Sequence, residues 1–280
     1  MEGTEVKGIP RGRDALDVTI VGSGTLLPDP QHSSAAHWVQ GDRFRLLLDC
    51  GSGTVHGLAR YGLPWHKLTH LAVTHFHTDH VGDLPALLWA LRHGCGPERD
   101  EPLTLVGPPG VESFLDRVAA AFGDFVLDPG FSLTVEELPL RGRWSSHGDR
   151  FTLETLHVPH TDESVAYRVE SGGACVGYTG DTGPSGELGS FFRGVDLLVA
   201  ECSIPDPTEL DNHLSPRTLA DLARAADPEL VVVTHCYPEL DRTEVPDLLA
   251  ASGYMGRCLP GVGGMRLRVS RGGVRVAEGA

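Results

Sequence analysis

Between residues 74 and 80 the chain reads Thr74-His75-Phe76-His77-Thr78-Asp79-His80, which packs three imidazoles and one carboxylate into six residues. An apolar run, Leu71-Ala72-Val73, precedes it and reads as a buried strand, and a helix-like segment from Gly82 to His93 follows at once. Four ligand-type side chains on so short a strand-to-helix turn converge on one small volume. Burying them without an ion would be costly, and mixed nitrogen and oxygen donors suit zinc or a similar first-row metal. The fold must therefore bring the end of a buried strand to a metal site.

The rest of the chain supplies the layers for such a fold. Strand-like runs recur at Leu16–Val21, Phe44–Leu48, Leu68–Val73, Leu103–Val106, Leu133–Leu138, Phe151–Leu156, Val165–Val169, Ala174–Tyr178, Leu197–Ala200, Leu230–Val233 and Met265–Val269. Amphipathic helical stretches interleave with them at Leu84–Arg92, Val111–Phe122, Arg217–Ala226 and Val245–Ala251. Pro216 suits a first helical turn, with Ser215 as its N-cap. No repeat or long linker interrupts this alternation, which implies α/β layers in one domain, residues 15–280. Residues 1–14 are polar, lack the apolar middle of a signal peptide, and are expected to be disordered.

Composition narrows the function. The formal net charge is −15, and no cluster of Lys and Arg offers a grip on a nucleic-acid backbone. Nucleic acid is thus an unlikely partner on this reading, and small substrates are favoured. No run of about 18 apolar residues implies a membrane span. The six cysteines are scattered without a C-x-x-C pair, as in a reduced, cytoplasmic protein. Leu87, Leu88, Trp89 and Leu91 are more apolar than one buried stripe needs, so a homodimer through this helix is expected.

The H-x-H-x-D-H spacing resembles that of the metallo-β-lactamase fold at every diagnostic position. The resemblance implies a four-layer αββα sandwich with a dinuclear metal site at one edge of its two sheets. Further ligands are then expected at distant strand ends, and three candidates occur in the order this fold requires. His160 follows a strand in Leu156-His157-Val158-Pro159-His160, Asp181 follows one in Tyr178-Thr179-Gly180-Asp181, and His235 ends Val231-Val232-Val233-Thr234-His235. The implied assignment puts His75, His77 and His160 on one metal and Asp79, His80 and His235 on the other, with Asp181 bridging. His157 remains an alternative to His160, although Tyr167, seven residues after His160, resembles the His…Gly-Tyr pattern of the phosphodiesterase branch. The metals are two divalent ions, zinc foremost, with manganese or iron accepted by the same donors.

Two further residues distinguish branches of the fold. Glu201 ends a strand in Ala200-Glu201-Cys202-Ser203, and His213 follows in Asn212-His213-Leu214-Ser215. This order resembles the ribonuclease Z family and, more closely, the cyclic phosphodiesterase of phosphonate degradation. The resemblance implies that His213 protonates a departing alkoxide and Glu201 orients it, with Asp79 counted among the catalytic groups as well as the ligands. A phosphodiester expels a poor leaving group, which a positioned imidazolium can protonate. Val21-Gly22-Ser23-Gly24 is similar to the first turn of the ribonuclease Z group, and Asp49 to an acid that supports the metal site from behind.

Two features depart from these families. The tRNA-gripping arm of ribonuclease Z lies between the third histidine motif and the bridging aspartate, where this chain has only 20 residues. No cysteine precedes Cys50, so the extra zinc site of the phosphonate-pathway enzyme has no ligands. The expected activity is hydrolysis of small phosphodiesters, cyclic ones among them. The alternatives are a carboxylic-ester, lactone or thioester hydrolase on the same site, and a tRNA 3′-end endonuclease. Specificity is expected in the loops Cys95–Pro102, Gly142–Asp149 and Pro205–Asp211.

Overall fold

Most strands are apolar at consecutive positions, so both of their faces need cover. The computed structural model, which describes residues 15–94, 99–146, 148 and 151–277, meets that need with two stacked sheets and helices on both outer faces. The first sheet contains β1 (Ala15–Gly22), β2 (Ala36–Gln40), β3 (Arg45–Leu48), β4 (His70–Ala72), β5 (Leu103–Gly107) and β6 (Leu133–Glu137). The second contains β7 (Arg141–Ser146), β8 (Phe151–His157), β9 (Val165–Ser171), β10 (Ala174–Tyr178), β11 (Leu197–Glu201), β12 (Leu230–Thr234) and β13 (Cys258–Pro260). The chain then returns to the first sheet as β14 (Arg266–Ser270) and β15 (Gly273–Val276), giving the order β15-β14-β1-β2-β3-β4-β5-β6. The second sheet runs β13-β12-β11-β10-β9-β8-β7.

Side-chain alternation assigns each strand residue to a layer. On β1, Leu16, Val18 and Ile20 face the core between the sheets, where they meet Leu153, Val169 and Val176. On β12, Leu230 and Val232 join this same core, while Val231 and Val233 point outward. The outer face of the first sheet is covered by α1 (Thr54–Arg60), α3 (Leu84–His93) and α4 (Val111–Phe122); the one-turn α2 (Thr78–Val81) carries part of the histidine-rich motif. The second sheet is covered by α5 (Leu188–Phe191), α6 (Pro216–Ala226) and α7 (Val245–Ala251). This is the expected αββα sandwich. Residues 1–14, read as disordered, lie outside the described residues, as do residues 95–98 of one loop singled out for specificity.

Three readings need adjustment. Leu87, Leu88 and Leu91 are buried against the first sheet, and of the four only Trp89 is exposed, its ring set edge-on to Phe125 and tilted against His93. The apolar excess behind the homodimer expectation is thus consumed by the chain's own packing. Residues 142–146, within the expected loop Gly142–Asp149, belong to an edge strand: Arg141–Ser146 pairs along β8, with Trp144 packed against the core, while residues 147 and 149 lie outside the described residues. The strand Ala36–Gln40 escaped notice because His37 and Trp38 break its apolar pattern, although both are buried. The capping expectation for α6 is met, since Ser215 and Thr218 bond reciprocally as a capping box.

Candidate metal centre

Strand β4 ends at Ala72, and its continuation delivers His75 and His77 to the open edge between the sheets. The turn α2 then places Asp79 and His80 beside them. Gly51 permits the close approach, because a Cβ there would lie 2.0 Å from the Asp79 carbonyl oxygen. From the second sheet come His160 beyond β8, Asp181 beyond β10 and His235 beyond β12. The turn before Asp181 uses Gly180 at φ 57°, and His235 itself adopts φ 56°. A non-glycine residue in that region costs about 1–3 kcal/mol, a strain typical of functional sites.

The seven side chains form two groups, His75, His77 and His160, and Asp79, His80, Asp181 and His235, each with ligand-type atoms within 4.8 Å of one another. His157 is exposed and joins neither group. Within the first group, His77 Nδ1 and His160 Nε2 lie 3.1 Å apart. In the second, His235 Nε2 lies 3.2 Å from Asp79 Oδ2 and 3.3 Å from Asp181 Oδ2. Asp181 faces both groups, with Oδ1 3.2 Å from His80 Nε2 and Oδ2 3.8 Å from His160 Nε2. His75 Nε2 and His80 Nε2 are buried without a hydrogen bond. Buried polar atoms are rarely left so; ring nitrogens crowded against one another and beside Asp181 suit a cation, and the cluster is capable of holding metal.

Two of the ligand-type histidines are held at the ring nitrogen that faces away from the cluster. His80 Nδ1 donates to Asp49 Oδ2 at 2.7 Å, and His160 Nδ1 donates to the Asn212 carbonyl at 3.0 Å. Asp49 is fully buried, and it also accepts from the Tyr178 hydroxyl at 2.7 Å, the Thr74 backbone N–H at 2.7 Å and the Thr74 hydroxyl at 2.9 Å. Tyr167 donates to the Val73 carbonyl at 2.8 Å and so ties β9 to the strand end that carries the motif. Such outer contacts fix ring orientation and tautomer. Of these partners Asp49 was singled out from the sequence, whereas Thr74 and Tyr178 were not.

The electrostatics follow from burial and neighbours in the metal-free protein. Burial pushes His75 well below the ordinary histidine value. Burial also disfavours charge on His80, but Asp181 and Asp49 outweigh it and hold that ring well above the ordinary value. Asp181 resists burial in the opposite sense, because His235 and His80 keep its carboxyl well below the carboxylate range. Protons thus occupy part of the place that cations would take.

Beside this cluster lies the pair Glu201 and His213. His213 Nδ1 donates to Glu201 Oε1 at 3.0 Å, and its ring centroid is 4.9 Å from that of His160. The buried Glu201 carboxylate also accepts from the Thr182 N–H at 2.6 Å, the Leu214 N–H at 3.1 Å and the Ser203 hydroxyl. Burial lowers the His213 pKa, yet the Glu201 hydrogen bond and charge more than reverse this, and it lies above the ordinary value. A cavity of about 430 Å³ reaches Asp79 and is walled by Leu26, Leu27 and Pro28. The sequence reading overlooked that loop, whose Gly and Pro residues marked only a turn.

Among known proteins, the model of the beta-lactamase superfamily domain matches residues 44–236. A ribonuclease Z from Mycobacterium bovis is 29% identical over 269 residues, covering 86% of this chain and 94% of that protein. The metallo-beta-lactamase fold protein YhfI from Bacillus subtilis superposes with a TM-score of 0.78 at 20% identity, covering 91% of this chain and 99% of its own. Human tRNase Z, short form, does so at 0.68 with 23% identity, covering 79% and 92%. The chain belongs to the beta-lactamase superfamily, on its ribonuclease Z-like side, and is a metal-dependent hydrolase.

Proposed function

We propose that this protein hydrolyses phosphodiester bonds with two divalent ions. His75, His77 and His160 would hold one ion, Asp79, His80 and His235 the other, and Asp181 would bridge; zinc fits the donors, as do manganese and iron. Ions there would supply a water acidic enough to attack at neutral pH and neutralise the phosphoryl oxygens. The observation that carries the reading is the His213–Glu201 contact at 3.0 Å beside the cluster. Glu201 holds His213 by Nδ1, which leaves Nε2 to give a proton to the departing alkoxide. Ester, lactone and thioester cleavage expel better leaving groups and do not require this pair.

RNA is the substrate class that the relatives favour, because the Mycobacterium bovis protein is a ribonuclease Z. This leans against the expectation that nucleic acid is an unlikely partner. A small phosphodiester is the second reading. It draws on the net charge of −15 and on the β9–β10 hairpin, which spans the interval from His160 to Asp181 with a tight turn at Gly172-Gly173. The five described cysteines are unpaired, which supports a reducing, cytoplasmic setting. Purified, zinc-loaded protein should be assayed on precursor tRNA, a 2′,3′-cyclic nucleotide, bis(p-nitrophenyl) phosphate and a lactone. Cleavage of phosphodiesters without lactone turnover is expected, and cut precursor tRNA selects the first reading. Lactone hydrolysis exceeding every phosphodiester rate would overturn the proposal.

A further inference from the structure

One hydroxyl in the site has no role in the reading above. Ser203 is fully buried, two residues beyond Glu201, with Oγ 3.1 Å from His235 Nδ1 and 2.8 Å from the His235 carbonyl oxygen. It is closer still to Glu201 Oε2. A serine hydroxyl carries one proton and two lone pairs. The carboxylate is both the nearer acceptor and the charged one, so it takes that proton. The oxygen is then left as an acceptor for His235 Nδ1–H. With a proton held on Nδ1 by the serine, His235 turns Nε2 toward Asp79 Oδ2 at 3.2 Å and Asp181 Oδ2 at 3.3 Å, the place where an ion would take that nitrogen's lone pair.

The same device occurs on the other side of the site. Thr74 Oγ1 donates to Asp49 Oδ2 at 2.9 Å and lies 3.0 Å from His75 Nδ1, whose Nε2 is bare and buried. Each histidine thus leans on a hydroxyl, and each hydroxyl leans on a buried carboxylate. The carboxylates differ in what else they hold. Asp49 also anchors His80, whereas Glu201 also anchors His213 and, through the Thr182 N–H, the turn carrying Asp181.

We propose that Ser203 is a positioning residue for His235, and that through it Glu201 sets both a ligand of the second ion and the proton-donating histidine. The inference rests on the two-ion reading above. It follows that Glu201 is not confined to proton handling: Glu201→Gln should loosen metal as well as impair His213.

The first test needs no variant. Nitrogen-15 spectra of the histidine rings in the wild-type, zinc-loaded protein should show His235 protonated at Nδ1, with Nε2 free of a proton; a proton on Nε2 overturns the inference. The second test follows zinc release from the loaded enzyme to a chromophoric chelator, resolved into two steps. Ser203→Ala should loosen one step by roughly 10–100-fold, the usual effect of losing a partner behind a ligand, and leave the other step unchanged. Ser203→Thr keeps the hydroxyl and should restore the wild-type step. Two unchanged steps in Ser203→Ala, or a Ser203→Thr protein as loose as the alanine variant, overturn the proposal. Wild-type protein that takes up fewer than two ions overturns the two-ion reading itself, and this inference with it.

Discussion

The two sheets contribute to the site in different ways. The first sheet delivers His75, His77, Asp79 and His80 from a single turn beyond β4, whereas the second delivers His160, Asp181, Glu201 and His235 one at a time from separate strands. In the first case the covalent chain sets the geometry, and a shift of one residue would disturb every donor. In the second the parallel register of β10, β11 and β12 sets it, since Tyr178 pairs with Val199 and Glu201 with Thr234. A contiguous turn makes a cluster; a registered sheet edge makes a cluster shareable. The carboxylate that faces both groups and the hydrogen-bonded pair Glu201–His213 accordingly both come from the second-sheet side.

The comparison can be broken most severely at Asp181, the one carboxylate facing both groups. Asp181→Ala should bring phosphodiester hydrolysis down to the rate without enzyme, and elemental analysis should find less metal than in His77→Ala. A variant that keeps its metal and its rate would show that the halves are independent. A smaller effect is expected behind the first half. Asp49→Asn removes the charged acceptor of His80 and Thr74 and should weaken metal binding by roughly 10–100-fold, read by chelator competition. Unchanged affinity would mean that the loop geometry alone holds these rings.

The gentlest probe is the pH dependence of the metal-free protein. His80 is held above the ordinary value of 6.5, against burial, by Asp181 and Asp49. Its contribution to stability is therefore complete below 6.5 and is lost as pH rises through the raised value. Asp181 is depressed below 3.8, so its contribution is complete above that value and fades as pH falls further. Urea midpoints with chelator present should peak between these limits and decline on the alkaline side. With zinc bound that decline should vanish, because the ion replaces the proton. A decline that persists in the loaded protein would mean that His80 is no ligand.

The same contrast explains what could be read from the sequence. The turn at residues 75–80 is legible because spacing alone makes its four side chains neighbours. His160, Asp181 and His235 are legible only as polar residues ending apolar runs, in an order borrowed from a resemblance. His157 could not be set aside by spacing; it drops out because β8 extends through it and leaves it exposed. Thr74 and Ser203 left no usable signal, since hydroxyl residues are common and their roles here depend on which oxygen faces which ring. The apolar face of α3 is legible only together with the sheet beneath it. Leu87, Leu88 and Leu91 look surplus to a single stripe until the outer face of the first sheet claims them.

Proton delivery by His213 is the central step proposed for this site, and leaving-group dependence measures it directly. His213→Ala and the wild type, matched for metal content, should be compared on an alkyl phosphodiester and on bis(p-nitrophenyl) phosphate. Removing a general acid typically costs 10²–10⁴-fold, and a loss of roughly that size is expected on the alkyl ester. A p-nitrophenolate departs without help, so the loss there should be far smaller. Equal losses on both esters would contradict the account, because His213 would then bind substrate or shape the site and not protonate the leaving oxygen.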